Sequence, residues 1–405
     1  MKKFSFFVTI SIVICYSSLN AQWIRTNGPP GDYGYFRTFA VSDTNLFAGN
    51  DGGGGVFLST NNGTSWTAVN AGLSSWYIEA LIFSGTDLFA GTGGSGICHS
   101  TNNGTSWTAV NTGLTNTTVW SFGVSGTNLF AGTAGGVFLS TNNGTSWTSV
   151  SDGLTDTDVR TFAIIGTNLF VGTLSGGVFR STNNGTSWTP ANNGLTNTTV
   201  LALAISGTNL FAGTGSRVFI STNNGTSWSP ANSGMTYYVV YSLVVYGTNL
   251  FAGTIGGVFL STNNGTSWTE ANTGLTNTPV ALVVSGNYLF TGTDSNRVWR
   301  RPLSEMVTDI EDQSNAIPSQ YVLKQNYPNP FNPSTKIKYS VPQSSNVIIK
   351  VFDILGNEIE TLVNEEKPVG TYEITWYAAN LPSGVYFYTI NAGSFIETRK
   401  MILIK

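Results

Sequence analysis

The sequence predicts an all-β chain: a seven-bladed β-propeller followed by a small Ig-like antiparallel β-sandwich. Three observations lead there. The octapeptide S-T-N-N-G-T-S-W occurs six times without change, its tryptophans (Trp66, Trp107, Trp147, Trp188, Trp228 and Trp268) spaced 40 or 41 residues apart. A fixed period in that range marks units that bury their apolar faces only against one another. A second stretch, of the N-L-F-A type, recurs seven times, centred on Phe47, Phe89, Phe130, Phe170, Phe211, Phe251 and Phe290, once more than the octapeptide. The last 85 residues abandon both patterns for period-two alternation.

Each repeat reads as four short strands. In the third, an apolar stretch over 119–124 is followed by a turn at 125–127, N-L-F-A at 128–131, a glycine-rich turn at 132–136, Val137 to Leu139, and the octapeptide leading to Trp147 and Val150. Short runs rich in valine, phenylalanine and isoleucine, bounded by Gly, Asn, Ser and Thr, are strand signals. Asn143-Gly144 suits a tight turn with positive φ at both residues. The seventh unit stops at Val298, Trp299 and Arg300 without an octapeptide of its own. Its fourth strand is expected from the other end of the chain, where Trp23, Ile24 and Arg25 precede Asn27-Gly28. Seven blades closed in this way leave no open sheet edge in the ring.

Composition bounds the function. Charged residues make up 10% of the chain, and between Gln22 and Pro302 there is no lysine, only eight arginines against ten carboxylates. That distribution excludes the basic stripe nucleic acid requires. Residues 1–21 read as a secretory leader: Lys2 and Lys3, an apolar run from Phe4 to Tyr16, then a small polar stretch ending at Ala21. The run, about 13 residues, is shorter than the roughly 20 a membrane-spanning helix needs, so no transmembrane segment is expected. Cys98 alone remains after the leader, which rules out an intramolecular disulfide. No cofactor and no metal site is expected, and the chain is read as a monomer.

The octapeptide resembles the Asp-box, or BNR, motif S-x-D-x-G-x-[ST]-W of sialidases and sortilin-type receptors. Ser59, Gly63, Ser65 and Trp66 match it, with Asn61 where that family usually has aspartate. The asparagine keeps a side-chain acceptor for the turn and loses the charge. The resemblance implies a structural hairpin on the propeller face away from any active site.

From 304 to 320 the pattern breaks into an acidic linker, and residues 321–405 hold eight basic residues, including every lysine beyond the leader. Their strands alternate as Ile337, Tyr339, Val341; Val347, Ile349, Val351; Tyr372, Ile374, Trp376; Val385, Phe387; and Met401, Leu403. This segment is very similar to the type A C-terminal sorting domain of type IX secretion cargo. The matching stretches are N-Y-P-N-P-F-N-P over 326–333 (with Pro328, Asn329 and Pro330), 351–358, L-P-S-G-V-Y-F-Y over 381–388 (with Gly384 and Tyr386), and the closing strand around Lys400. The resemblance implies a Gram-negative bacterium, recognition of residues 321–405 by the secretion machinery, and delivery through the periplasm to the outer surface or the medium.

Near-identical repeats make their departures informative. The position ten residues before the strand phenylalanine reads Arg37, Glu79, Trp120, Arg160, Leu201 and Tyr241, with Ala281 assigned to the shorter seventh unit. It starts the innermost strand, beside the central channel. Neighbouring departures are Trp76, Tyr77, Asp156, Asp158, Tyr237 and Tyr238, with Arg217 and Arg297 in the second-to-third-strand turns. Such a rim suits recognition of a glycan or protein ligand through stacking and arginine contacts. The alternative is a sialidase-like glycosidase, for which Arg37, Arg160, Glu79 and Tyr241 would have to supply the site. His99 and Cys98 occupy slots filled elsewhere by Leu58 and Phe138 and read as packing residues; Asp152, Asp156 and Asp158 read as a solvated turn.

Overall fold

The computed structural model describes residues 22–31, 34–237, 239–307, 321–393 and 395–404, the side chain of 371 aside. The expected leader, Tyr238 and most of the expected linker lie outside the described residues. The chain divides into two compact units, Met1–Thr308 and Asp309–Lys405.

The first unit holds seven four-stranded antiparallel sheets. Blade 1 runs Phe36–Ser42, Asn45–Asn50, Gly55–Ser59 and Thr67–Ala68; blades 2 to 6 repeat the order with first strands Ile78–Ser84, Val119–Ser125, Val159–Ile165, Val200–Ser206 and Val240–Tyr246. Blade 7 has Pro279–Ser285, Tyr288–Thr293 and Val298–Pro302, and Ile24–Arg25 adds its outer strand by pairing Ile24 with Arg300 and Arg25 with Trp299. The two ends of the propeller are thus stitched together by main-chain bonds, as the count of six octapeptides against seven N-L-F-A strands requires.

The core lies between blades rather than within them. Phe170 and Val178 of blade 4 pack against Leu203, Ala212 and Phe219 of blade 5, with Trp228 over the edge, and the other interfaces repeat the arrangement. Each such phenylalanine is buried and contributes roughly 1.5–3 kcal/mol by leaving water. Leu303 and Val307 are also buried, so the chain remains packed into this unit to residue 307.

The octapeptide forms the turn between third and fourth strands. Asn62 and Gly63 both take positive φ, 54° and 76°. Asn61 Oδ1 accepts the Ser65 N–H at 2.9 Å and its Nδ2 donates to Ser65 Oγ at 2.9 Å, while Gly63 N–H reaches Ser59 Oγ at 2.8 Å. The amide therefore uses both of its ends on Ser65, where a carboxylate would instead accept from both the N–H and the hydroxyl. The closing tryptophan then ties its blade to the one before. The indole N–H groups of Trp107, Trp147, Trp188, Trp228, Trp268 and Trp23 donate to the carbonyls of Val69, Val110, Val150, Ala191, Ala231 and Ala271 at 2.6–2.9 Å. Trp66, at the seam between blades 7 and 1, is the exception: its N–H is buried without a partner. Across that seam Arg300 instead donates to the carbonyl of Asn62.

Every blade carries an irregularity at the same place. Phe36 pairs with Asn50 and Thr38 with Gly49, leaving Arg37 unpaired between them. The same shift leaves Glu79, Trp120, Arg160, Leu201, Tyr241 and Val280 unpaired. A bulge of this kind bends the strand and re-aims the side chain of the extra residue. The seventh member is Val280, not Ala281, which pairs with Gly292 in the slot Thr38 fills in blade 1. The seventh unit is shorter earlier in its loop, not in this strand.

The second unit is an antiparallel sandwich of three strands (Val322–Leu323, Ser334–Val341, Gly370–Tyr377) against four (Glu358–Lys367, Ser345–Phe352, Gly384–Ala392, Phe395–Leu403). Ile337, Tyr339, Val341, Val347, Ile349, Val351, Trp376, Met401 and Leu403 face the core. In Gly384–Ala392 the inward residues are Tyr386, Tyr388 and Ile390, so Val385 and Phe387 stand on the outer face.

Candidate functional site

The bulged residues gather at the start of the seven innermost strands, on the face that also carries the fourth-to-first-strand loops and the second-to-third-strand turns. The octapeptides lie on the opposite face. Sequence position thus brings Arg37, Glu79, Trp120 and Arg160 into one arc over blades 1 to 4, continued by Leu201, Tyr241 and Val280 over blades 5 to 7. The rim is polar on one side and apolar on the other.

Within the arc the charges are paired. Arg37 makes an ion pair with Asp51, and its Nε lies 4.0 Å from Glu79. Asp51 also accepts the Tyr35 N–H at 2.6 Å, and the Arg37 guanidinium sits 5.2 Å from the Tyr35 ring. Arg160 Nε lies 2.6 Å from one oxygen of Asp158, and a terminal guanidinium nitrogen donates to the other at 2.9 Å. The same guanidinium stacks 4.1 Å above the Trp120 ring. Burial pushes the Glu79 carboxyl above the ordinary value, opposed by Arg37 and Arg160 and reinforced by Asp51. Asp156 serves the fold. Its Oδ2 accepts the N–H groups of Ser175 and Gly176 at 2.7 and 2.8 Å, holding one turn of the face to its neighbouring loop.

The loops add exposed aromatic surface. Tyr35, Trp76, Tyr77 and Tyr237 are the exposed aromatics among the propeller's described residues, Trp76 at 50% and Tyr77 at 55%, and all four lie on this face. Tyr77 stands beside Glu79, both side chains flanking Gly93. Tyr237 lies flat over Gly256, where a Cβ would enter its ring. With Ile255, Leu275 and Thr278 it lines a hollow of about 250 Å³ between blades 6 and 7. Asp51 was not among the residues singled out from sequence. The signal for Asp51 was its turn, N-D-G-G-G-G, longer than the corresponding turn of any other blade.

His99 and Cys98 lie away from this rim. His99 stacks on Phe89 at 4.5 Å and bonds Asp87 at 2.9 Å, and Cys98 is fully buried. Among the described residues no group of three His, Cys, Asp or Glu side chains has metal-binding geometry, and no helix is long and apolar enough to cross a membrane.

In the second unit the singled-out residues converge on the last strand. Gly384 pairs with Leu403, Tyr386 with Met401, and Phe387 with Lys400. The Lys400 carbonyl accepts from Gln325 at 2.7 Å and Asn329 at 3.4 Å, while Asn329 Oδ1 accepts the Ile402 N–H at 2.9 Å. Phe331, just after Pro330, exchanges main-chain bonds with Ile402 and Ile404 at 2.9 Å and packs on Trp376. The Pro328 carbonyl accepts from Thr335 at 2.8 Å and Asn326 at 3.1 Å. The buried Tyr388 hydroxyl, pushed up to about 12 by burial, accepts the Asn326 N–H at 2.7 Å and donates to the Lys324 carbonyl at 2.6 Å. The proline-rich segment is therefore a clasp along the terminal strand.

Residues 325–405 match the secretion system C-terminal sorting domain. They are a type IX secretion sorting domain. A chain carrying the sorting domain is exported to the outer surface or the medium and engages the secretion machinery through it. No curated protein matches the chain. Among solved structures it is similar to PorZ, a surface component of the type IX secretion system of Porphyromonas gingivalis (TM-score 0.55, 16% identity, 93% of this chain and 60% of that one). It is also similar to YCF48 bound to D1 peptide (0.57, 13%, 70% and 97%). A third is the extracellular domain of BT3049 of B. thetaiotaomicron, described as a hybrid two component system (0.57, 14%, 95% and 57%). At these identities the shared property is the propeller fold.

Proposed function

We propose that the propeller is the cargo of this export route and acts outside the cell as a binding module, taking a glycan at its channel mouth. The supporting observation is that the exposed aromatic side chains of the propeller share one face with the Arg37–Glu79–Trp120–Arg160 arc, while the opposite face is built from six copies of one turn. Exposed rings cost free energy in water and stack on the apolar faces of sugars; paired guanidinium and carboxylate groups both accept and donate to hydroxyls. In the same reading the chain comprises a leader over 1–21, the propeller over 22–303, a linker over 304–320 and the sorting domain over 321–405. The octapeptides are asparagine variants of the Asp-box, and the chain works as a monomer.

The hydrolase alternative draws its support from Glu79, whose carboxyl burial pushes above its ordinary value, the direction a general acid needs. It needs arginines open to a substrate carboxylate. Arg37 and Arg160 are both engaged by aspartates, which favours binding over turnover.

The test is a glycan array probed with the full chain lacking its leader, alongside fluorogenic sialosides. Retention of glycans abolished by Trp76→Ala and Arg160→Ala is expected, without turnover. Turnover lost in Glu79→Gln would replace binding with catalysis. For the sorting half, removal of 321–405 is expected to leave the propeller behind the outer membrane; unchanged surface display would overturn it.

A further inference from the structure

We propose that the hollow between blades 6 and 7 is a subsite for the acetamido group of an N-acetylhexosamine. This deepens the glycan-binding reading and rests on it. The hollow follows from one missing residue: the loop entering blade 7 is a residue shorter than the loops entering blades 2 to 6. At four other seams that loop closes over the neighbouring second-to-third-strand turn by a main-chain bond. There the N–H groups of Gly55, Gly96, Gly136 and Gly177 donate to the carbonyls of Trp76, Thr117, Thr157 and Thr198 at 2.8–2.9 Å. Among the described residues Gly257, their counterpart in blade 6, makes no such bond to the loop over 275–278, and a space of about 250 Å³ stands in its place.

The lining is of two kinds. Tyr237, over Gly256, is 47% exposed, and Ile255 is 52% exposed, the one exposed large aliphatic side chain among the described loop residues of this face. Leu275 adds to this apolar wall. The polar part is an amide: Asn277 Oδ1 accepts from the Thr276 hydroxyl at 3.1 Å, and its Nδ2 makes no bond among the described residues. Asn272 belongs to the scaffold, since its Oδ1 accepts the Val258 N–H at 2.6 Å and its Nδ2 donates to the Gly256 carbonyl at 3.2 Å. None of the lining residues is charged; Asp294, in the turn beyond, accepts the Thr278 N–H at 3.2 Å. A hexose bearing only hydroxyls can stack on Tyr237 but has no group that covers Ile255 while meeting an amide. An acetamido substituent has both. Its methyl leaves water against Tyr237 and Ile255, its carbonyl accepts from Asn277 Nδ2, and its N–H donates to the second lone pair of Asn277 Oδ1. A site built to bond a substituent rejects the analogue that lacks it, because its own polar groups are then left unpaired. The hollow is smaller than the roughly 300–1,000 Å³ of drug-sized sites, so it takes one sugar unit rather than a chain.

The experiment is an array of matched pairs, each an N-acetylhexosamine beside the hexose with a hydroxyl at the same carbon (diacetylchitobiose beside cellobiose, N-acetylgalactosamine beside galactose), probed with the full chain. The acetamido member is expected to bind at least about tenfold more tightly, a factor equivalent to about 1.4 kcal/mol. Asn277→Asp keeps the shape and the acceptor oxygen and removes the Nδ2 donor; Ile255→Ser removes the apolar wall at an exposed position. Each is expected to bring the pair toward parity by weakening the acetamido member alone, with the thermal midpoint unchanged, which separates loss of the subsite from loss of the fold. Equal or tighter binding of the hydroxyl member by the unmodified chain overturns the acetamido subsite and leaves glycan binding standing. Retention of neither member of any pair overturns the glycan reading and the subsite with it. Discrimination that survives both substitutions would place the acetamido contact elsewhere on the face and also overturn the proposal.

Discussion

Replacing one octapeptide tryptophan by phenylalanine should cost different amounts in different blades, although the repeats are identical in sequence. Trp147 and Trp66 are both buried, at 3% and 8% exposure. Trp147→Phe removes ring area and also the 2.9 Å bond to the Val110 carbonyl, leaving that carbonyl short of a donor. Trp66→Phe removes the same ring area, but its N–H has no partner to lose; it even relieves a buried unsatisfied donor. An unmade buried hydrogen bond costs about 1–3 kcal/mol, so the difference between the two variants should be at least about 1 kcal/mol in favour of Trp66→Phe. For a unit of this size that corresponds to roughly 2–4 °C in midpoint per kcal/mol. Differential scanning calorimetry of the two variants side by side reads it directly, since area and volume losses cancel. Equal midpoints would refute the view that the indole bonds bind the ring blade to blade. The same asymmetry marks the seam between blades 7 and 1 as the place where hydrogen exchange should be fastest, read at the amides of Ile24 and Arg25 against Thr148 and Ser149.

Further outcomes follow from the same geometry. Glu79 holds its proton to higher pH in the folded chain than the ordinary 4.5, so stability should fall as pH rises from about 4.5 through the raised value, and Glu79→Gln should flatten that slope in thermal melts. Asp87 behaves oppositely. Burial opposes its ionisation, but bonds from His99, Asn143 and Thr86 prevail and hold its carboxyl below the ordinary 3.8. The stabilisation is present above that value and lost as pH falls through the lowered one, so Asp87→Asn should shift the acid-unfolding midpoint. Tyr388→Phe leaves the buried Asn326 N–H without its acceptor; at about 1–3 kcal/mol, the sorting domain of the full chain should be cleaved faster by protease while the propeller is unaffected. Gly256→Ala should displace the Tyr237 ring and weaken glycan retention, checked on the same array, with a change in stability of no more than about 1 kcal/mol.

The ring was legible because its determinants are local and repeated: six identical turns, seven Phe-centred strands and one spare N-terminal strand leave a single closure. The sorting domain was legible for most of its core because an inward face alternates with an outward one. It was misread where both faces are apolar. In Val385, Tyr386, Phe387 and Tyr388 nothing in period two distinguishes the sides, and only the hydroxyl partners of Tyr386 and Tyr388, Pro382 and Lys324, show which are buried. Strand Glu358–Lys367 went unread since it is an edge strand whose side chains are mostly charged and exposed, the composition that keeps an edge from pairing with another chain. At the rim, the variable position was found by alignment of repeats, but its meaning was not. A bulge is a property of pairing register, so the reason these seven side chains leave the alternation, and the identity of Val280 as the seventh, lie in the partner strand.

Departures from the repeat fall into two physical classes, and the distinction bears on where function lies. At the first residue of the second strand and at the third-strand position that Leu58 holds in blade 1, blades 2 and 7 substitute both residues and blade 4 only the second. Asp87 meets His99 at 2.9 Å, Asn168 meets Arg180 at 3.0 Å, and Tyr288 lies 4.9 Å from Arg300. Each change is answered within its own hairpin, and the neighbouring octapeptide supplies what remains, as Asn143 does for Asp87 at 2.5 Å. Such pairs restore packing and carry no surplus. At the rim each arginine is paired within its own blade, Arg37 with Asp51 and Arg160 with Asp158, and further contacts cross blade boundaries: Arg37 of blade 1 toward Glu79 of blade 2, and Arg160 of blade 4 over Trp120 of blade 3. The stability return of the contacts that cross blades is small at solvent-accessible positions. A pattern assembled across blades, beside rings left exposed at a cost in water, supports the proposal that this face meets a ligand.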